Sequence, residues 1–357
     1  MPLQHISNVR IRGIATAVPR RCLEVSEWQS FKSSEDRQKY MDSVGVHRLR
    51  RHEGNMTCSD LCQAAAERLL QDIGWDAEDV DLLVFLSQSM DYFLPATACV
   101  LHGKMGMRQD CACFDIGMGC SGWTYGLQVV SSMVQSGVFK KALLLAGDAR
   151  GIESKEVLLK DKEHGVPLFG DAGTATALCY DEAAPPMTFD SYTDGSGYEA
   201  IIRRVGRSRH PATPDSFAYT EDAFGHIHRP IDTEMDGAAV FVFGISKVPK
   251  AVKSLLRDTE MSVEDVDYFL FHQANLMMNE KIREKCKIPP EKCPYSLRDF
   301  GNNSSASIPL TIVTRLRDAI DQPGEHRALA CGFGVGLSWS SSVLSLKNTV
   351  ISPLVEL

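Results

Sequence analysis

The chain repeats itself at a fixed distance, and that repeat limits the folds open to it more than any other feature. Leu69-Leu70-Gln71-Asp72 and Glu78-Asp79-Val80-Asp81-Leu82-Leu83-Val84-Phe85 return 186 residues later as Leu255-Leu256-Arg257-Asp258 and Glu264-Asp265-Val266-Asp267-Tyr268-Phe269-Leu270-Phe271. Ala142-Leu143 and Ala328-Leu329 stand at the same offset. Three matches in register predict two structurally related halves, 1–180 and 181–357. In the first half, helices are predicted over 57–72 and 120–136, with buried strands over 82–87, 111–116 and 142–146. In the second, the spacing predicts helices over 246–257, 275–286 and 304–319, and strands over 267–271 and 327–331. Helices alternating with apolar strands predict an α/β protein with a largely parallel, covered sheet. Residues 181–230 carry Pro, Gly, Ser and Thr clusters with little periodicity, so they are predicted to connect the halves and form exposed loops.

Composition narrows the function classes. A chain of 357 residues that is 44% hydrophobic is not a disordered one. A formal net charge of -8 argues against a nucleic-acid binder that works through its whole surface. No run of eighteen apolar residues predicts a membrane span. The start, Met1-Pro2-Leu3-Gln4-His5, lacks the basic and apolar stretches of a signal peptide, so a cytoplasmic protein is expected. The eleven cysteines are odd in number and include no CxxC. Neither a disulfide framework nor a metal site is expected from them, and each taken alone reads as a small buried hydrophobe.

Phe114-Asp115-Ile116-Gly117-Met118-Gly119-Cys120-Ser121-Gly122-Trp123-Thr124-Tyr125-Gly126 departs from that pattern. A strand ends, glycines permit a tight turn, and a cysteine opens a helix. The order is that of a nucleophile elbow with sulfur in place of oxygen. Unpaired N–H groups at a helix start favour negative charge and hence a thiolate. Taken alone, Cys120 reads equally as a buried cysteine at a packed helix start. Phe269-Leu270-Phe271-His272-Gln273-Ala274-Asn275 puts His272 directly after a buried strand, where a lone histidine is more often structural. Phe300-Gly301-Asn302-Asn303-Ser304-Ser305-Ala306-Ser307 reads by itself as a loop and helix N-cap. Cys331-Gly332-Phe333-Gly334-Val335-Gly336-Leu337-Ser338-Trp339 has the glycines of a dinucleotide-binding loop, but no GxGxxG is completed and too little chain follows.

Together these segments resemble the thiolase superfamily and, within it, the β-ketoacyl-acyl-carrier-protein synthase III family. The resemblance spans nearly the whole chain, with support from Pro95-Ala96-Thr97-Ala98-Cys99, Phe169-Gly170-Asp171-Ala172-Gly173 and Met235-Asp236-Gly237-Ala238-Ala239. It implies an α/β thiolase-like fold, two related βαβαβαββ halves in a five-layered αβαβα arrangement. It also implies a catalytic triad of Cys120, His272 and Asn302. In such a triad the thiolate attacks an acyl thioester and holds the acyl group. The backbone N–H groups of Cys120 and Gly336 are the implied oxyanion hole. A malonyl thioester then loses carbon dioxide, with His272 and Asn302 as neutral donors to the enolate oxygen, and the carbanion attacks the acyl group on Cys120. Leu94, Phe169 and Asn275 are the implied substrate contacts. No metal or other cofactor is implied, since coenzyme A and acyl-carrier-protein thioesters are substrates. The implied partners are acyl-coenzyme A, malonyl-acyl carrier protein and a second copy of the chain. That homodimer would pair through 111–116, with Leu94 at the position where a partner's aromatic side chain closes the acyl pocket.

Four positions differ from the family pattern. Lys39 and Ser43 stand where a Trp and an Arg usually hold the adenine of coenzyme A, and Trp28 is the nearby alternative for stacking. Glu163 replaces a second coenzyme A-contacting arginine, and Met277 an arginine tied to carrier docking. Two readings follow. One is an enzyme that condenses an acyl-coenzyme A, by default acetyl-coenzyme A, with malonyl-carrier protein to start fatty-acid synthesis. The other is a related condensing enzyme or acyltransferase of a specialised pathway with a different donor or acceptor. A scaffold that keeps the fold alone is argued against by the intact triad.

Overall fold

The structure is a computed structural model that describes residues 3–28, 31–149, 167–221 and 227–357. Two sheets carry the fold. In the first, Leu82–Leu86 lies between Ala112–Ile116 and Lys141–Asp148, parallel to both. Ala172–Tyr180 and Val9–Val18 then continue the sheet antiparallel. In the second, Tyr268–Phe271 pairs parallel with Arg327–Gly334. Ser338–Ser345 and Met187–Thr193 follow, each antiparallel to its neighbour.

The repeat is visible at the level of single residues. Leu82 pairs with Ala142 in the first sheet, and Tyr268 pairs with Ala328 in the second. Both partners have moved by the same 186 residues, so the offset preserves the strand register as well as the order. The chain ends cross between sheets. Gln4–Ile6 borders the second sheet, while Val350–Ile351 and Val355–Glu356 border the first.

Burial arranges these elements in five layers. Leu61, Ala65 and Leu69 of the helix Cys58–Ile73 cover the outer face of the first sheet against Leu83, Phe85 and Leu145. Between the sheets, Trp123, Leu127 and Val130 of Gly122–Gln135 meet Ile308, Ile312 and Leu316, with Val84 on one side and Leu270 on the other. Val248, Val252 and Leu255 of Gly237–Asp258 close the outer face of the second sheet with Met278 and Ile282 of Leu276–Cys286. Each fully buried aliphatic side chain contributes about 1.5–3 kcal/mol, which makes this layering the main source of stability. Local signals set the helix ends. Thr57 and Asp60 form a reciprocal capping box, and Gly74 ends the same helix in the left-handed conformation.

Three expectations about local structure change. The connection 181–230 includes a strand, Met187–Thr193, in the interior of the second sheet. Its polar residues hid it: Asp190 is buried, accepts from Ser341 N at 2.8 Å and from Tyr192 Oη at 3.3 Å, and is pushed up to about 6 by burial. The helix expected over 304–319 is broken into a 3-10 turn at Ser304–Ala306, an α segment Ser307–Thr311, a π turn Ile312–Leu316 and a last α turn Arg317–Ile320. Pro309 withdraws one N–H from its ladder. The strand expected to be buried over 111–116 is Ala112–Ile116, which is only half-buried because it lies at the edge of its sheet. The C-terminal glycine run is a hairpin between Arg327–Gly334 and Ser338–Ser345, in keeping with its incomplete dinucleotide motif. Among the described residues no helix is long and apolar enough to cross a membrane.

Candidate active site

Cys120 lies in the turn between the strand Ala112–Ile116 and the helix Gly122–Gln135, and it is partly buried. The turn is held from two sides. Gly119 leaves room for the Gln88 side chain, and a methyl group there would overlap Gln88 Oε1. The residues around Gln88 are fixed by Asp148, whose Oδ1 accepts from Ser87 Oγ at 3.0 Å, Gln88 N at 2.8 Å and Ser89 Oγ at 3.0 Å. On the other side comes the C-terminal hairpin. Ser121 Oγ and Ser338 Oγ are 2.7 Å apart, and Gly334 packs directly on Cys120. A Cβ at Gly334 would sit 2.5 Å from Cys120 Cβ. Gly334→Ala should therefore displace the nucleophile and cost on the order of 100-fold in turnover, because small misplacements of a reacting group have effects of that size. Circular dichroism and thermal melting would check that the variant stays folded while its turnover is measured.

His272 follows the strand Tyr268–Phe271 and is 2% exposed. Its N–H bonds to Cys331 O at 2.9 Å, its carbonyl accepts from Asn279 Nδ2 at 3.0 Å, and its ring meets the Phe333 ring edge-on at 5.4 Å. Burial pushes its pKa down to about 3, with a smaller opposing effect from the Ser304 backbone. The imidazole is therefore neutral at any physiological pH. Ser307 Oγ stands 2.8 Å from His272 Nδ1 and 2.9 Å from the Ser304 carbonyl. Its single proton serves one of the two. Donated to Nδ1, it leaves the imidazole proton on Nε2; donated to Ser304, it requires the proton on Nδ1.

Asn302 is 6% exposed and fixed by its backbone as a β-bridge partner of Phe169. Its N–H donates to Leu168 O at 2.9 Å, and its carbonyl accepts from Gly170 N at 3.0 Å. Gly301, just before it, has φ +68° and no room for a side chain against Leu49. Asn302 Oδ1 accepts from Ser304 N at 2.9 Å, while Nδ2 makes only a long 3.4 Å contact to Ala274 O. The amide is thus oriented by its oxygen and keeps donor capacity on its nitrogen. The bridging segment is anchored by Asp171, which is fully buried. It accepts from His52 N at 2.9 Å and lies 2.7 Å from His52 Nδ1, with the Arg51 guanidinium 3.7 Å away. Burial alone would raise its pKa; the His52 bonds and the Arg51 charge outweigh that and hold it low.

Ser304, which the sequence offers only as part of a helix N-cap, joins these residues. Its Oγ is 3.9 Å from Cys120 Sγ, its N–H holds Asn302, and its carbonyl is shared with the Ser307 hydroxyl beside His272. Neither Ser304 nor Ser307 caps a helix through its side chain; both hydroxyls turn toward the triad. The available signal was their three-residue spacing, which puts two small polar groups on one face.

The remaining expected residues are placed as follows. Asn275 caps the helix Leu276–Cys286, its Oδ1 accepting from Met278 N at 2.8 Å. Phe169 lies beside Asn302, and Leu94 is 83% exposed at the end of the exposed run Tyr92-Phe93-Leu94. Gly336 sits in the hairpin turn, packed against Ser338, with the next residue tied to Asp194 by paired backbone hydrogen bonds of 2.8 and 3.1 Å. Lys39 and Ser43 are exposed on the helix Ser34–Val44. Trp28 is 2% exposed and packed with Leu23, Val46 and Leu297, so it is not available to stack on a nucleotide as expected. Glu163 lies outside the described residues. Of the other cysteines, burial pushes Cys286 up to about 11 and Cys293 up to about 12, which keeps those thiols protonated. Among the described residues no group of three or more His, Cys, Asp and Glu side chains could hold a metal ion.

Comparison with known proteins agrees with this geometry. Residues 114–195 match the family model described as 3-oxoacyl-(acyl-carrier-protein) synthase III, and residues 256–346 match the model for its C-terminal part. A putative 3-oxoacyl-(acyl-carrier-protein) synthase 3 of Campylobacter jejuni is 32% identical over 352 residues, covering 95% of this chain and 94% of that one. A β-ketoacyl-(acyl-carrier-protein) synthase III of Streptococcus mutans is 30% identical, covering 88% and 94%. The crystal structure of a 3-oxoacyl-(acyl-carrier protein) synthase from Burkholderia xenovorans superposes with a TM-score of 0.90 at 34% identity, covering 100% of this chain and 99% of that one. With the thiolase-like layers, the cysteine at a helix start and the neutral histidine already in place, the chain belongs to the 3-oxoacyl-(acyl-carrier-protein) synthase III family and is a condensing enzyme of the acyltransferase type.

Proposed function

We propose that the protein condenses an acyl thioester with malonyl-acyl carrier protein through an acyl group held on Cys120, as the first step of fatty-acid synthesis. The observation that carries this reading is the joining of Cys120, a neutral His272 and Asn302 through Ser304 and Ser307. A neutral imidazole cannot form an ion pair with the thiolate. It suits the second half-reaction, where decarboxylation develops charge on an enolate oxygen that needs neutral donors. In the tautomer where Ser307 donates to Nδ1 and releases the Ser304 carbonyl, the imidazole carries its proton on Nε2 and offers it for that purpose, with the Asn302 amide nitrogen as the second proposed donor. The Cys120 and Gly336 N–H groups are the proposed donors to the tetrahedral oxyanion. Phe169 and the Asn275 amide are the proposed contacts to the substrate arm. No metal takes part in these steps.

A homodimer is part of the proposal. Ala112–Ile116 is the edge strand of its sheet and is only half-buried, and Leu94 projects from the surface nearby, where Asp115 holds the N–H groups of Thr97 and Ala98 at 2.7 Å. An exposed apolar edge of this kind invites pairing with a second copy. Leu94 of one chain would then border the acyl pocket of the other.

A second reading is favoured by the surface around Ser34–Val44. Lys39 and Ser43 are exposed and offer no aromatic face or guanidinium, Trp28 is buried, and Met277 is exposed. These features support a donor other than acetyl-coenzyme A, or a specialised pathway. One experiment separates the readings. The protein is incubated with a panel of acyl-coenzyme A and acyl-carrier donors and its intact mass is measured, followed by addition of malonyl-carrier protein. Acylation by short acyl-coenzyme A with turnover to a 3-oxoacyl product is the expected result. Acylation by carrier-bound donors alone selects the second reading, and no acylation by any donor overturns both. Light scattering on the same preparation should read about twice the chain mass of 39.4 kDa.

A further inference from the structure

We infer that the Ser304 hydroxyl is a hydrogen-bond donor to the Cys120 thiolate, so that Ser304 sets the reactivity of the nucleophile as well as the geometry of its partners. The inference rests on the reading of Cys120 as nucleophile and adds to it a side chain that the triad does not include. Four observations converge on Ser304. Its Oγ lies 3.9 Å from Cys120 Sγ. Its N–H donates to Asn302 Oδ1 at 2.9 Å. Its carbonyl lies 2.9 Å from the Ser307 hydroxyl that meets His272. Its backbone is left-handed, with φ +52°, at a site that is 5% exposed.

The last observation gives the others weight. A left-handed conformation is unfavourable for any residue with a Cβ, and one that persists in a buried site is held there by its surroundings. Here the unusual backbone directs the amide toward Asn302, the carbonyl toward Ser307 and the hydroxyl toward sulfur. Glycine would adopt this φ without strain, yet the position carries a side chain whose only polar atom faces the nucleophile.

The electrostatics give that hydroxyl a task. His272 is neutral, so no imidazolium stands ready to stabilise the thiolate. The helix start at Gly122 supplies partial positive charge, and a hydroxyl donor beside it adds a charge-assisted hydrogen bond. At 3.9 Å the contact is a loose one for the neutral thiol. It tightens when the sulfur becomes charged, as catalytic hydrogen bonds do when charge develops. Once Cys120 is acylated the negative charge is gone, and the hydroxyl loses its charged acceptor. The stabilisation therefore applies to the free thiolate and lapses in the acyl-enzyme.

The test is the ionisation of Cys120 in Ser304→Ala and Ser304→Gly. Alkylation by iodoacetamide is followed from pH 5 to 10, and the modified Cys120 peptide is quantified by mass spectrometry. Both variants are expected to raise the midpoint of Cys120 alkylation by about one pH unit, a tenfold lower thiolate fraction near neutrality. The limiting rate at high pH should be unchanged. Ser304→Gly removes the hydroxyl and relieves the backbone at the same time, so it remains informative where Ser304→Ala folds poorly. An unchanged midpoint in both variants overturns the inference, as does a rise in Ser304→Ala with none in Ser304→Gly, which would assign the effect to the backbone. Acylation of the wild type by thioesters is measured on the same preparation. A normal wild-type acylation with unchanged midpoints removes the role of Ser304 and leaves the function standing. Shifted midpoints with no wild-type acylation remove the function and leave Ser304 in its role.

Discussion

Cys120→Ala will retain the fold and lose every acyl adduct on this site. The argument is chemical and local. The acyl group must be held covalently between the two half-reactions, and a methyl group has no lone pair with which to attack a thioester. The expected loss of condensation is on the order of 10^4-fold or more, the scale seen when a nucleophile is removed from a preformed site. Little stability should be lost, because alanine keeps the Cβ that packs against Gly334. Intact mass after exposure to the preferred donor is the measurement. An acyl increment that survives on the variant would move the nucleophile to one of the other ten cysteines. Burial holds several of these protonated, including Cys286 and Cys293.

His272→Ala separates the two half-reactions. Because His272 is neutral and buried, it is not required to ionise Cys120. The variant should acylate at near the wild-type rate, yet lose condensation with malonyl-carrier protein by on the order of 100-fold or more, the usual cost of one oxyanion donor. Full condensation would exclude its proposed role, and loss of acylation would reassign it as a base. Two pH effects accompany this. The wild-type condensation profile should show no inflection near 6.5 from His272, whose folded pKa is about 3. Stability should depend on pH in the opposite region. The unfolded histidine binds a proton below about 6.5 while the folded one does not until about pH 3. Its contribution is therefore complete above about 6.5 and is lost as pH falls toward 3, at up to about 1.4 kcal/mol per pH unit. His272→Gln should flatten that part of the acid stability curve, read from thermal midpoints between pH 4 and 7.

Much of the candidate site is legible in the sequence, for a physical reason. His272 follows a largely buried apolar strand, and such runs are easily read because their burial leaves no polar alternation. Cys120 follows the half-buried edge strand Ala112–Ile116, and there the flanking glycines at 117, 119 and 122 carried the signal. The strand Met187–Thr193 escaped because Asp190 and its Ser and Thr neighbours are satisfied by partners across the sheet, which sequence neighbours do not reveal. Asn275, an implied substrate contact, also has its oxygen committed to a helix start, a bond the motif alone does not reveal. Trp28 looked available because composition shows an aromatic but not its burial among Leu23, Val46 and Leu297.

The sequence by itself determined the α/β class and the 186-residue repeat, and it nominated three catalytic candidates. A periodic pattern of apolar residues is enough to set which faces are covered, and an offset of 186 residues is enough to repeat a register. Only the tertiary structure decided how the candidates act on one another. The 151 residues of chain between Cys120 and His272 carry no record of their proximity. Burial made the imidazole neutral, a left-handed serine brought an amide, a carbonyl and a hydroxyl to three different partners, and a glycine at 334 gave the thiol its place. Each of these is a property of distances through space and of excluded water, and neither is written in residue order.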